Sequence, residues 1–394
     1  MTMKRLFIFT FFCILNTTQL FSQSLKSEKG FADKAKITLD SIYKHFGIKG
    51  EKLLRENYPY DESYKASYLA GPEQASKGNA YSYLWPFSGS LSAQVARYEI
   101  NKDKTILKDI RATVLPGLQH YYDKTSPYGY ASYVSSAPQS DRFYDDNVWL
   151  GIDFADLYLN TKDNSFLTKS EEIWKFVESG MDDKLGGGIY WCEQKKESKN
   201  TCSNAPAVVY LLKLYQATNK KEYLDQAISL YQWTKENLED REDHLYYDNI
   251  SLSGKVNKTK FPYNSGQMLQ SAVLLHKITN DQKYLNDAQA IAASGYNYFF
   301  HSSENSTKDF KLLKNSDAWF IAVMLRGYVE LFHVDKNPLY LNNFIDNLNY
   351  AWTDLRDENG LFQKDWSGQK TTKKKWLLDQ LAMVEMYARI ASVL

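Results

Sequence analysis

Thr218-Asn219-Lys220-Lys221-Glu222-Tyr223-Leu224 carries the phrase on which the fold turns: a polar turn, then an aromatic or aliphatic residue followed by leucine. The phrase recurs as NKDKTIL, TKDNSFL, TNDQKYL and DKNPLYL, ending at Leu107, Leu167, Leu285 and Leu341. With Leu224 the spacings are 60, 57, 61 and 56 residues. A period of this length marks a repeated supersecondary unit. On the C-terminal side lies a helical pattern of apolar residues, as in Tyr223, Leu224, Ala227, Ile228 and Tyr231, or Tyr284, Leu285, Ala288 and Ile291. Another precedes it, as in Val208, Leu211, Leu212 and Tyr215, or Leu269, Ala272, Val273 and His276. Each unit is therefore a helical hairpin, and its Asn/Asp/Lys turn suits a tight connection that also caps the next helix.

Five hairpins, plus a sixth formed by the helix from Trp376 onward and the helix around Phe31–His45, predict an all-α fold, an (α/α)6 toroid. An open array would need polar terminal repeats. The last helix is instead apolar at Leu377, Leu381, Val384, Met386 and Ile390. No Pro/Gly/Ser-rich linker interrupts the repeat, so residues 23–394 are expected to form a single domain.

The N-terminus has Lys4 and Arg5, an apolar run from Leu6 to Leu15 and a polar stretch through Ser22. This has the layout of a cleavable signal peptide over residues 1–22. The run is too short to span a bilayer comfortably, and nothing later offers a span. An exported protein, periplasmic or secreted, is expected, with no membrane insertion once the leader is removed, acting as a monomer. Removal of Cys13 leaves Cys192 and Cys202, which read equally as a disulfide contributing roughly 2–3 kcal/mol or as two buried thiols.

Lys and Arg total 48 against 47 Asp and Glu. That balance argues against nucleic acid or an anionic surface as partner and toward a neutral one. Aromatics make up 15% of the chain, with 30 Tyr and 9 Trp. Aromatic rings pack on the C–H faces of sugars while Tyr and Trp polar groups bond hydroxyls, although most of these residues also suit helix interfaces.

The inner helix of each hairpin is expected to begin about twenty residues before its leucine, where the segments stop reading as packing. They are Trp85-Pro86-Phe87-Ser88-Gly89, Tyr144-Asp145-Asp146-Asn147, Ser203-Asn204-Ala205-Pro206, Tyr263-Asn264-Ser265-Gly266-Gln267 and Asp317-Ala318-Trp319-Phe320. In a toroid these starts converge on one mouth. Capping explains Ser, Asp and Asn there, and Pro206 suits a first turn. It does not explain Tyr and Trp beside the caps.

Asp145-Asp146 is the strongest candidate for chemistry. Glycosidic cleavage needs one ionised and one protonated carboxyl group, and adjacent carboxylates release their protons in separate steps. The pair alone also reads as a helix cap. Asp182-Asp183 leads into Gly186-Gly187-Gly188, which lacks the Lys-Ser/Thr ending of a phosphate loop. The six histidines are dispersed, with no metal-ligand spacing.

Four segments carry a family likeness: RFYDDNVWLGIDFADLY from Arg142, LGGGIYWCEQKKESKNTCSNAPAVVYLLKLYQAT from Leu185, PYNSGQMLQSAVLLHKITND from Pro262 and DAWFIAVMLRGY from Asp317. In order and spacing they resemble glycoside hydrolase family 76, the endo-α-1,6-mannanases, over roughly residues 80 to 330. The resemblance implies an (α/α)6 barrel, hydrolysis of α-1,6-linked mannan with retention, and no metal or cofactor. It implies Asp145 as nucleophile and Asp146 as general acid/base, with α-mannan or manno-oligosaccharides as partner. Asn147, Trp191, Asn204, Tyr263, Asn264 and Gln267 fall on the family's cleft motifs. Tyr144, Asp317 and the aromatics Trp85 and Trp319 join them as candidates for substrate binding. The chain departs from the family at Val148-Trp149-Leu150, at Tyr190 and at the two cysteines. Rival readings are an unsaturated uronyl hydrolase, a sugar epimerase, or a glycan-binding protein without catalysis.

Overall fold

A computed structural model describes residues 30–66, 79–137, 140–302 and 309–394; the leader expected over residues 1–22 lies outside them. Among the described residues, helices alternate between an inner and an outer ring. The inner helices are α2 (Leu84–Asn101), α4 (Tyr144–Thr161), α6 (Thr201–Thr218), α8 (Pro262–Thr279), α10 (Ala318–Asp335) and α12 (Leu377–Ala391). The outer ones are α1 (Gly30–Phe46), the segment 104–119 (α3), α5 (Asn164–Glu178), α7 (Lys221–Leu238), α9 (Gln282–Tyr298) and α11 (Leu339–Asp354). A π-helical turn over Ile110–Val114 interrupts α3. Each inner helix packs on the next, and α12 packs on both α2 and α1, which closes the ring. This is the all-α toroid that the repeat implies.

The recurrent phrase is the joint of each hairpin. Lys102, Lys162, Asn219, Asn280 and Lys336 adopt the left-handed conformation and end the inner helices. One residue later Asp103, Asp163 and Asp281 accept hydrogen bonds from the backbone N–H of Thr105, Ser165 and Lys283, capping the outer helices. Lys220 stands at that place in the third copy and supplies no side-chain cap.

Burial separates the rings as helix periodicity requires. Every residue of α6 from Thr201 to Leu214 is buried, whereas α7 buries one stripe led by Tyr223, Ala227, Leu230 and Tyr231. Helices α8 and α10 approach so closely that a Cβ on Gly266 would lie 2.4 Å from the Cα of Met324. No helix among the described residues is long and apolar enough to cross a membrane.

Short strands decorate the end of the ring where the inner helices begin. Antiparallel β2 (Ser198–Asn200), β3 (Tyr247–Ser251) and β4 (Val256–Lys260) form the largest sheet among the described residues, with Asn200 opposite Asn249. Strand β1 (Asn57–Tyr58) pairs with β5 (Lys375–Trp376). Side chains four residues into the inner helices clamp these loops. Asn147 accepts from Tyr130 N–H and donates to the carbonyls of Tyr130 and Phe143. Asn204 does the same for Ile189 and Asn200. Ser265 accepts from Tyr246 N–H, and Gln380 brackets Phe362.

Candidate active site

At the mouth of the ring a cavity of about 570 Å³ gathers residues from five inner helices and the loops above them. The second residue of each of these helices faces it: Trp85, Asp145, Cys202, Tyr263 and Trp319. Asp146, Trp149, Trp191 and Phe320 also line it. Sequence separation of more than two hundred residues thus collapses into one chamber, within the size range of ligand pockets.

The two acids sit in different electrostatic surroundings. Burial pushes Asp145 up from an ordinary 3.8 to about 6, opposed by hydrogen bonds from the Cys202 thiol, the local backbone and Trp191. The Trp191 Nε1–H donates to Asp145 Oδ2 at 3.2 Å. Asp146 lacks such donors. Burial raises it well above the ordinary range, and the charge of Asp145 raises it further. Burial and the neighbouring charge thus make Asp146 hold its proton more readily than Asp145, the order that acid-assisted displacement at a glycosidic carbon requires.

The candidates from the sequence separate into groups. Trp85, Asp145, Asp146, Trp191, Tyr263 and Trp319 line the cavity. Tyr144 turns outward, 1% exposed, and stacks on Phe176 with ring centroids 5.0 Å apart. Asn147 and Asn204 are fully buried and occupied as loop clamps. Gln267, a turn lower, donates to Gln270. Asn264 is buried beside Asp248, off the cavity wall. Asp317 faces a neighbouring cavity, where it pairs with Lys364. The common reason is helical phase: at each helix start only part of the helix face is turned to the cavity.

Asp248 is a third carboxylate in the chamber that the sequence reading passed over. It sits on β3, where burial raises its pKa, and its Oδ2 accepts from Asn249 and Asn257. Its context, Tyr246-Tyr247-Asp248-Asn249, echoes Tyr144-Asp145-Asp146-Asn147, a signal that was available. Cys202 reads from the sequence as a disulfide partner or as one of two buried thiols, and the structure shows the second. Cys192 and Cys202 are both buried free thiols, and Cys202 serves the Asp145 carboxylate. Trp319 contributes an indole N–H that meets no acceptor among the described residues. Among the described residues no group of three or more His, Cys, Asp or Glu is placed to hold a metal ion.

Residues 60–392 match the model of glycosyl hydrolase family 76. The chain belongs to this family. Among solved structures, a family 76 glycoside hydrolase from a bovine Bacteroides thetaiotaomicron strain is 34% identical, with a TM-score of 0.83, covering 93% of this chain and 78% of that one. The family 76 mannosidase Bt3792 from Bacteroides thetaiotaomicron VPI-5482 is also 34% identical, with a TM-score of 0.82 and coverage of 93% and 99%. An inactive variant of the α-1,6-mannanase of Salegentibacter sp. HEL1_6, in complex with α-1,6-mannotriose, shares the fold at 24% identity, with a TM-score of 0.72 and coverage of 92% and 99%. No curated protein matches the chain. As a family 76 member the protein is a glycoside hydrolase.

Proposed function

We propose that the protein is a retaining, endo-acting glycoside hydrolase that cleaves α-1,6-mannosidic bonds in mannan backbones. The observation that carries the chemistry is the unequal pair: Asp145 steadied by the Trp191 indole, Asp146 left with burial and its neighbour's charge. Substrate choice rests on likeness to the mannosidase from Bacteroides thetaiotaomicron VPI-5482 and on the aromatic, uncharged character of Trp85, Trp191, Tyr263 and Trp319.

In the first step the Asp145 carboxylate attacks the anomeric carbon while the bond to O6 of the leaving mannose breaks, and Asp146 gives its proton to that oxygen. In the second, Asp146, now a carboxylate, takes a proton from water as the water oxygen attacks the same carbon and releases Asp145. Asp248 and the Trp319 N–H bond hydroxyls of the sugar at the scissile position. Residues 23–394 act as one catalytic unit, exported behind the leader of residues 1–22.

Incubation of the purified protein with linear α-1,6-mannan and with side-chain-bearing yeast mannan tests this reading, alongside Asp145→Asn and Asp146→Asn. Oligosaccharides should be released from the linear polymer and from neither variant, and proton NMR of the first product should show the α-anomer. A β-anomer would refute retention. No product from either mannan would refute the substrate.

A further inference from the structure

Trp191 reaches Asp145 from a loop, and a loop left to itself is too mobile to keep one N–H on one carboxylate oxygen. The stretch Trp191-Cys192-Glu193 is instead zipped against the approach to α4. Phe143 stands opposite Cys192 in an antiparallel bridge. On one side of that bridge Tyr144 N–H donates to the Trp191 carbonyl at 2.9 Å, and on the other Glu193 N–H donates to the Arg142 carbonyl at 3.0 Å. The rings of Phe143 and Trp191 meet at 4.9 Å. A ladder this short is marginal by itself, so its stability depends on the side chains at its open end.

Arg142 and Glu193 occupy that end. The Arg142 guanidinium is buried, 1% exposed, and forks onto the Glu193 carboxylate, Nε to Oε2 at 2.6 Å and Nη2 to Oε1 at 2.5 Å. Its Nη1 donates to the carbonyls of Thr125 and Pro127 at 2.8 and 3.0 Å, and the group lies over the Phe176 ring at 4.7 Å. Gln194 joins the two: its Oε1 accepts from Arg142 N–H and its Nε2 donates to Glu193 Oε2, both at 2.8 Å. A two-pronged pair of this kind fixes direction as well as distance. The chamber wall takes Phe143, Asp145 and Trp191 from these two stretches; the ion pair is further out along each.

We propose that Arg142 and Glu193 are positioning residues, whose ion pair locks the Trp191 loop in register with the start of α4 and so keeps the indole N–H on Asp145. The proposal rests on Asp145 as the attacking carboxylate and adds what holds its hydrogen-bond donor in place. The sign of the effect separates positioning from plain electrostatics. Glu193→Gln removes a negative charge and leaves Arg142 positive, which by Coulomb attraction alone would favour ionised Asp145 and lower its pKa. Loss of the lock frees the Trp191 N–H instead, and Asp145 should then keep its proton to higher pH. Gln194→Ala, at an exposed side chain, loosens the same ladder without changing any charge. The other titratable groups facing Asp145 are untouched by either change: Asp146 on its own helix, Cys202 on α6, Tyr263 on α8, Cys192 on the loop and Asp248 on β3.

The test follows Asp145 by carbon-13 NMR of the purified protein labelled at its aspartate carboxyls, with Asp145→Asn assigning the signal. In Glu193→Gln that signal should titrate roughly half to one pH unit higher than in the parent, and in Gln194→Ala by less in the same direction. Glu193→Gln combined with Trp191→Phe should titrate no higher than Trp191→Phe alone, since both act through one N–H. The acidic limb of kcat/KM on linear α-1,6-mannan should move with the signal. If Glu193→Gln does not fold, Gln194→Ala decides the matter. An unchanged or lowered titration in the folded variants overturns the proposal, as do additive shifts in the double variant. The NMR titration needs no substrate, so a parent protein that leaves mannan uncut overturns the mannan reading while the lock is still judged on Asp145.

Discussion

The mouth and the floor of the same helical ring treat buried charge in opposite ways. At the floor, Arg326 grips Glu385 with two hydrogen bonds of 2.7 and 2.9 Å, and Arg389 adds a third at 2.6 Å. Burial alone would raise Glu385, yet the two guanidinium groups hold it at about 2. Lys213 pairs with Asp156 nearby. At the mouth, Asp145 and Asp146 have no cationic partner among the described residues, and both are pushed upward. Intermediate between them, Asp153 faces Arg326 and accepts from Ser92 at 2.6 Å, but burial still raises it to about 7. Paired charge fixes a structure. Unpaired charge costs stability and retains the reactivity that chemistry needs.

The largest way to break the contrast is to neutralise the mouth: Asp145→Asn should lower kcat by roughly 10⁴-fold, within the reach of losing a group that acts directly on the reacting centre, measured as reducing ends released from linear mannan. Neutralising the floor acts on folding instead. Glu385→Gln leaves Arg326 and Arg389 facing an uncharged amide in a buried site, and should cost about 3–5 kcal/mol in denaturant-induced unfolding.

The same measurement on Asp145→Asn should move the other way. A carboxyl group raised by about two units costs about 3 kcal/mol once it ionises, at 1.36 kcal/mol per unit, so the variant should be more stable than the parent at pH 7.5. In the folded protein Asp145 binds its proton more readily than in the unfolded chain. The cost is therefore full above pH 6 and fades as pH falls toward 4, and the variant's advantage should fade with it. The smallest effect sharpens the picture within the mouth. Trp191→Phe removes the N–H that favours ionised Asp145, so the acidic limb of kcat/KM, near pH 6 in the parent, should move to higher pH, with a loss of about tenfold at pH 6.

Much of this architecture is legible in the repeat. Every inner helix from α2 to α10 begins 23 residues before its marker leucine, because hairpin geometry keeps helix length and turn constant. Once that register is known, the second residue of each helix start is a cavity residue and the fourth, at Asn147, Asn204 and Ser265, is a loop clamp. The reading that treated whole helix starts as cleft lining therefore included Tyr144, Asn147 and Asn204, which a finer use of the same period separates. Asp248 escaped because it lies on a hairpin between repeats, where no helical period points to it.

The sequence by itself determined the ring, its hairpin joints and the adjacency of two acids at a helix start, since these follow from local periodicity and capping. Only the tertiary structure sets the order in which the two acids give up their protons. That depends on groups far away in the chain, Trp191 and Cys202 beside Asp145, and on the depth of burial around Asp146. Solvent exclusion and the direction of a hydrogen bond are properties of the closed ring, and no spacing of residues records them.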